Sequence, residues 1–251
     1  MAALLFLVLS FQYIPETLID NPDGPKQVRL FGVITALAAA LLLLRQHSLR
    51  RFVAFLMIYN TGVILSGVVS SPTGLTGALF ETFNQLLFAL LLFLSLALIE
   101  RPELLAGRKG EGLLRRRPLT SAAFIGGALG LLGLPPFSGF ASKALIYEGV
   151  AYSGWGYLAV LLAATMSCFY ALARLLRDQF LGRGQVDVED EDVLQRDVIL
   201  PPALELDREP RLLAGVALAL LLVGVVLGAY PQLLLRSIAE AVESLTFAHL
   251  L

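Results

Sequence analysis

The sequence predicts an all-α, polytopic transmembrane bundle of about six to seven spans, with one discontinuous helix and an amphipathic helix near its end. Three observations lead there. The 251 residues are 57% hydrophobic and only 16% charged, against about 25% charged in soluble domains, and the mean hydropathy is +0.76. The apolar residues fall into runs separated by short polar loops. The basic residues are confined to alternate loops, the charge asymmetry that orients membrane proteins.

The runs follow in order. Residues 2–14 are apolar but short of the roughly 20 residues a span requires, so residues 1–28 read as a partial or tilted segment and a turn-rich loop around Asp20–Pro25. Leu30–Leu44 is the next span and ends in Arg45–Arg51. Phe52–Ser70 follows, closed by Ser71-Pro72-Thr73-Gly74, and then Leu75–Ile99, the longest. A basic loop, 100–118, leads to the interrupted span 119–152. Ser153-Gly154 turns the chain into Trp155–Leu176, where Trp155 and Tyr157 suit an interface. A polar loop, 177–210, carries the acidic cluster Asp187–Asp192 and precedes Leu212–Ala229. Beyond Tyr230-Pro231, Arg236, Glu240 and Glu243 share one helical face, so 231–251 reads as an amphipathic helix lying on the membrane. Residues 29–230 form the bundle.

The loops at 45–51, 100–118 and 174–211 hold fifteen of the nineteen Lys and Arg residues. They fall on one side only if 119–152 crosses once, and that side is then cytoplasmic. A net charge of −1 leaves no basic surface for nucleic acid. The single Cys168 reads as a small buried side chain, and His47 and His249 share no ligand spacing, so no metal or cofactor is expected. Nor is there a nucleophile–base set or phosphate loop from which to expect chemistry within the chain.

The interrupted span carries the sharpest signal. Leu134-Pro135-Pro136-Phe137-Ser138-Gly139-Phe140 removes two amide donors in succession, so a helix entering it breaks. Lys143 follows, and a lysine near the bilayer centre costs roughly 2.5–3.5 kcal/mol on insertion scales, which turns it toward a polar interior. A broken helix beside a buried cation is how ion-moving membrane proteins build a pathway; the bland alternative is a packing kink with Lys143 snorkelling to an interface. Glu148, five residues on, either partners Lys143 or approaches the outer interface. In the fourth run Glu81, Asn84 and Gln85 share one face, and Glu81 lies either in a polar interior or at headgroup level near Pro72-Thr73-Gly74. Asn60, Thr61, Thr165 and Ser167 offer further hydrogen bonds, to the interior or between helices.

Leu134–Phe140 followed by Ser142-Lys143 resembles the broken-helix motif of the antiporter-like subunits of respiratory complex I, multisubunit sodium/proton antiporters and membrane-bound hydrogenases. Arg50–Phe55 with Gly62 resembles that family's basic pair and downstream glycine. The resemblance implies a membrane subunit of a multisubunit complex in a bacterial or archaeal cytoplasmic membrane. Its partners would be other membrane subunits and the lipid bilayer, and its role would be to move H+ or Na+. On that reading Lys143 is the principal ionisable group, Glu148, Glu81, Gln85 and Asn84 are secondary, and Pro135, Pro136 and Gly139 shape the break. The sequence departs from the family where two histidines and a lysine are usual: Glu81, Gln85 and Ala89 stand there. It also corresponds only to the second of the family's two bundles. Those departures favour an alternative, a scaffold subunit that keeps the fold without conducting.

Overall fold

A computed structural model describes residues 23–99, 113–181 and 211–243. Residues 2–14, the acidic cluster Asp187–Asp192 and His249 lie outside the described residues. The elements are α1 (Gly24–Leu43), α2 (Leu49–Val68), α3 (Pro72–Ile99), the single turn α4 (Leu113–Arg116), α5 (Pro118–Leu132), α6 (Ser138–Ser153), α7 (Trp155–Leu175) running into a π-helical turn at Leu176–Phe180, α8 (Arg211–Ala229) and α9 (Gln232–Glu243). There are no strands among the described residues. Four helices, α1, α2, α3 and α7 with its π turn, are each long and apolar enough to cross a membrane, and α8 with α9 makes a fifth candidate as a bent pair.

Small residues let α1 and α2 pack with their backbones in contact. A Cβ on Gly62 would stand 2.5 Å from the Ala36 nitrogen, and one on Gly32 would stand 2.7 Å from that of Ser66. Hydrocarbon gives helices no hydrophobic reason to associate, so backbones that approach this closely gain their stability from packing.

Helix α3 begins earlier than its sequence suggests. Ser71-Pro72-Thr73-Gly74 reads as a loop, yet the Gly74 amide donates to Ser71 Oγ at 3.0 Å, a capping bond. Pro72 then opens the helix, where a missing N–H costs nothing. At 1.5 Å per residue the 28 residues extend about 42 Å, and Glu81 lies about 14 Å from the start. That is a third of the way along a helix longer than a hydrocarbon core ~30 Å thick.

The interrupted span is two short helices, α5 of 15 residues and α6 of 16. Both run antiparallel to α3, one after the other. Arg117 donates to the Leu98 carbonyl at 3.0 Å, Gly127 lies against Leu91 and Leu92, and Gly130 against Phe88. Beyond the break Ser138 meets Asn84, Ser142 meets Glu81, Gly77 lies against Ile146 and Gly74 against Gly149. The contacts descend α3 without reversing, so 118–153 makes one crossing, as the loop charges require. The break falls beside α3 between Asn84 and Phe88, near the midpoint of that helix.

Helix α5 ends because Gly133 adopts φ +83° and its amide bonds back to the Gly130 carbonyl, a left-handed stop that suits glycine. Gly139 then lets α6 start in contact with α5: a Cβ there would stand 2.1 Å from the Gly130 oxygen.

Helix α8 runs alongside α5 and stops level with the break. Gly126 lies against Leu221, and a Cβ on Gly228 would meet the Pro136 oxygen at 2.0 Å. Pro231 then turns the chain by 66° into α9. The tail helix therefore starts level with the break. Its apolar side packs on α3 with Val242 buried, while Arg236 and Glu240 form an exposed pair at 3.3 Å.

Candidate functional site: a buried ion pair beside the helix break

Three helices converge on Lys143. It sits in the second turn of α6 and is 2% exposed, against Glu81 of α3 and Asn60 of α2, both fully buried. The ammonium donates to Glu81 Oε1 at 2.8 Å and to Asn60 Oδ1. It also stands 5.5 Å from the centroid of the Tyr59 ring, within cation–π range. Snorkelling is excluded, since the nitrogen reaches neither end of the bundle.

The carboxylate is satisfied on both oxygens. Ser142 Oγ donates to Glu81 Oε2 at 2.5 Å, in the range of charge-assisted O–H···O bonds. Asn84 Nδ2 donates to Ser142 Oγ at 3.0 Å, and Ser138 Oγ donates to Asn84 Oδ1 at 2.7 Å. A hydrogen-bonded chain therefore runs from Lys143 through Glu81, Ser142 and Asn84 to Ser138, the first residue after the break. The spacing explains it. Ser138 and Ser142 are four apart on α6, Glu81 and Asn84 three apart on α3, and such pairs share a helical face.

A second branch leaves through α2. Asn60 Nδ2 donates to Gln85 Oε1 at 3.1 Å, and Gln85 Nε2 donates to Thr61 Oγ1 at 3.3 Å. Thr61 is exposed and Gln85 half-buried, so this branch ends at the edge of the bundle.

Behind the lysine, one hydroxyl joins three helices. Thr165 Oγ1 of α7 gives its hydrogen to the Leu161 carbonyl at 2.7 Å. It therefore accepts from both Tyr59 OH at 2.7 Å and Tyr147 OH at 2.8 Å. Two donors entering one oxygen make a joint, and this one fixes the Tyr59 ring against Lys143. Cys168 is buried and free.

Of the residues singled out in the sequence, Lys143, Glu81, Asn84 and Gln85 come together, and Pro135, Pro136 and Gly139 form and pack the break beside them. Glu148 does not join them. It is exposed, because five helical residues turn it roughly 140° from Lys143, and Glu81 holds the place it would have filled. Ser167 is half-buried and bonds only to its own helix, at the Ala163 carbonyl. Tyr59, Ser138 and Ser142 are the participants that the sequence did not single out. Tyr59 had one available signal, its position next to Asn60 inside an apolar span.

Chemically, the cluster holds one cation and one carboxylate in contact, out of water and fully hydrogen-bonded. The side chains that continue the two branches, the amide of Asn60 on one and the hydroxyl of Ser142 followed by the amide of Asn84 on the other, donate and accept hydrogen bonds but carry no charge. Among the described residues there is no cluster of His, Cys, Asp and Glu able to hold a metal ion.

Known proteins share this arrangement of elements. Residues 1–169 match the family described as NADH:quinone oxidoreductase/Mrp antiporter, transmembrane. The NAD(P)H-quinone oxidoreductase chain 4 1 of Synechococcus sp. (strain JA-3-3Ab) is 32% identical over 213 residues, covering 81% of this chain and 38% of the relative. NADH-quinone oxidoreductase subunit N of Hydrogenovibrio crunogenus is 28% identical over 178 residues, 68% of this chain and 37% of that one. Among solved structures, a chain of the Mrp complex from Dietzia sp. DQ12-45-1b aligns with TM-score 0.71 and 26% identity over 87% of this chain and 47% of its own. A chain of respiratory complex I from Thermus thermophilus with bound NADH aligns with TM-score 0.65 and 25% identity, over 88% and 45%. This chain thus spans less than half the length of these relatives. With its family match covering most of its length and its broken helix set against a long antiparallel partner, the chain belongs to the NADH:quinone oxidoreductase/Mrp antiporter transmembrane family.

Proposed function

We propose that this chain is an antiporter-like membrane subunit of a complex I-, Mrp- or hydrogenase-like assembly. It contributes to the translocation of protons, or of sodium ions, through the site around Lys143. The observation that carries the reading is the Lys143–Glu81 contact at 2.8 Å, inside the bundle and beside interrupted backbone. Buried intramembrane charge is costly and marks ion pathways and relays. A purely structural link between α3 and α6 could be made from apolar residues at no loss of stability. On this reading Lys143 carries the exchangeable charge and Glu81 is its counter-ion. Ser142, Asn84 and Ser138 connect the pair to the break, and Asn60 and Gln85 connect it to the bundle edge. Other membrane subunits supply the remaining ionisable groups, and the assembly sits in the cytoplasmic membrane of a bacterium or archaeon. Residues 29–230 correspond to the second bundle of a full-length relative.

A second reading, a non-conducting scaffold, draws on one specific feature. Asn60 and Asn84 insulate the pair from any titratable neighbour on either branch, and Ala89 stands where the resemblance leads one to expect a lysine. The test is Lys143→Ala in the intact complex, with ion pumping and assembly measured separately. Lost pumping with normal assembly supports translocation; unchanged pumping supports the scaffold.

A further inference from the structure

The break presents a problem of surface chemistry that the rest of the bundle does not. Leu134, Pro135 and Pro136 are exposed, although the break lies near the midpoint of α3, between Asn84 and Phe88. Neither proline brings an amide hydrogen, and no hydrogen bond among the described residues ends on their carbonyl oxygens. Alongside, Pro231 withholds the amide that would complete the last turn of α8 at the Leu227 carbonyl, and Gly228 brings that end into contact with the Pro136 oxygen. Two interrupted helices thus meet at one face, with the Pro136 oxygen turned onto Gly228 and the Pro135 and Leu227 carbonyls given no donor among the described residues. Hydrocarbon does not tolerate this: irregular backbone at such depth persists only against protein or water. Water is disfavoured by the rim, which is apolar. Leu134, Phe140, Tyr230 and Leu233 are 36 to 67% exposed, a border suited to packing against a helix.

We propose that the face formed by the Gly133–Phe137 break and the Ala229–Pro231 end of α8 is covered by a membrane-spanning helix of a neighbouring chain, which brings a hydrogen-bond donor to the level of the break. The occupant is a helix, because its own backbone is already satisfied and it can lie along α5 and α6. Its donor is an uncharged side chain such as Ser, Thr, Asn or Gln, because the carbonyls it meets are neutral and a further cation at that depth would need its own counter-ion. The inference rests on the proposed placement in a multisubunit membrane assembly, but not on Lys143 moving ions.

The experiment places a photo-cross-linking amino acid at Leu134, Phe140 or Tyr230 of the full chain, in native membranes holding its normal neighbours. Met166 and Tyr170, exposed positions on the unbroken α7, serve as controls. The expected result is protein adduct as the main product at the three break positions, mapped by mass spectrometry to the middle of a membrane-spanning segment of another chain, with lipid adduct prevailing at the controls. Lipid adduct at all five positions would overturn the proposal. So would adducts confined to this chain, or ready labelling of cysteines at the break by a membrane-impermeant thiol reagent, which would make the face an aqueous opening. Loss of pumping on Lys143→Ala, whichever way the cross-linking falls, would separate this surface from the ion-path reading.

Discussion

Removing one charge of the Lys143–Glu81 pair destabilises the bundle far more than removing both. In Lys143→Met the ammonium is lost while Glu81, fully buried, is left without its counter-ion, with Ser142 as its one remaining hydrogen-bond donor. In Glu81→Gln the ammonium keeps Asn60 and the face of Tyr59 but loses its counter-ion. Stranding a buried charge in this way costs about 3–5 kcal/mol, which displaces a folding equilibrium by roughly two to four powers of ten. The double variant Glu81→Gln/Lys143→Met strands no charge, and replacing a buried pair by neutral groups is often close to neutral. Its destabilisation is expected to be about 1 kcal/mol, the scale of an imperfectly replaced hydrogen bond. The assay is denaturant unfolding of purified protein in mixed micelles, followed by helical circular dichroism and analysed as a double-mutant cycle. Single variants within about 1 kcal/mol of the parent, or a double variant whose loss equals the sum of the singles, would refute a direct buried contact between the two residues.

Three further perturbations test the frame around the site. Gly139→Ala forces a methyl group to within 2.1 Å of the Gly130 oxygen and cannot be accommodated by a side chain moving aside. It is expected to lower the yield of folded protein sharply, whereas Gly156→Ala, with open space around it, should leave the unfolding midpoint unchanged or raised by the equivalent of about 0.5–1 kcal/mol. Thr165→Val leaves the Tyr59 and Tyr147 hydroxyls without their shared acceptor, at a cost of about 1–3 kcal/mol, and Thr165→Ser should restore most of it; equal losses in the two variants would show that the hydroxyl is not the joint. Arg29 ties α1 to the end of α2 by donating to the Val69 carbonyl at 2.8 Å and to Ser70 Oγ at 3.2 Å. Arg29→Met should cost about 1.5–3 kcal/mol in the same unfolding assay, the scale of hydrogen bonds from a charged group.

What the sequence disclosed and what it withheld follow from the range of the interactions. The break was legible because two consecutive prolines act on their own backbone and the preceding turn, whatever surrounds them. The single crossing of 118–153 was legible from loop charges alone. The depth of Glu81 was not, because Pro72 and Gly74 look like loop residues until Ser71 is known to cap the helix they open. Once the helix starts there, Glu81 moves from the headgroup level toward the centre. Its pairing with Lys143 joins residues 62 apart in sequence, and nothing local to either residue announces it. Glu148 drew attention by proximity in sequence, and helical periodicity turned it outward. Tyr59 was hidden for the opposite reason: a tyrosine in an apolar span resembles core until Thr165, on a helix distant in the chain, is found holding its hydroxyl.

The most direct measurement uses the double variant Glu81→Gln/Lys143→Met in the intact assembly reconstituted into vesicles, because it removes the charges without stranding either. The ion-path account predicts a complex that assembles with its usual composition and turns over, yet moves few or no ions across the membrane. Assembly together with undiminished ion movement would contradict it, and would leave this chain as a scaffold whose buried pair serves only to hold α3 against α6.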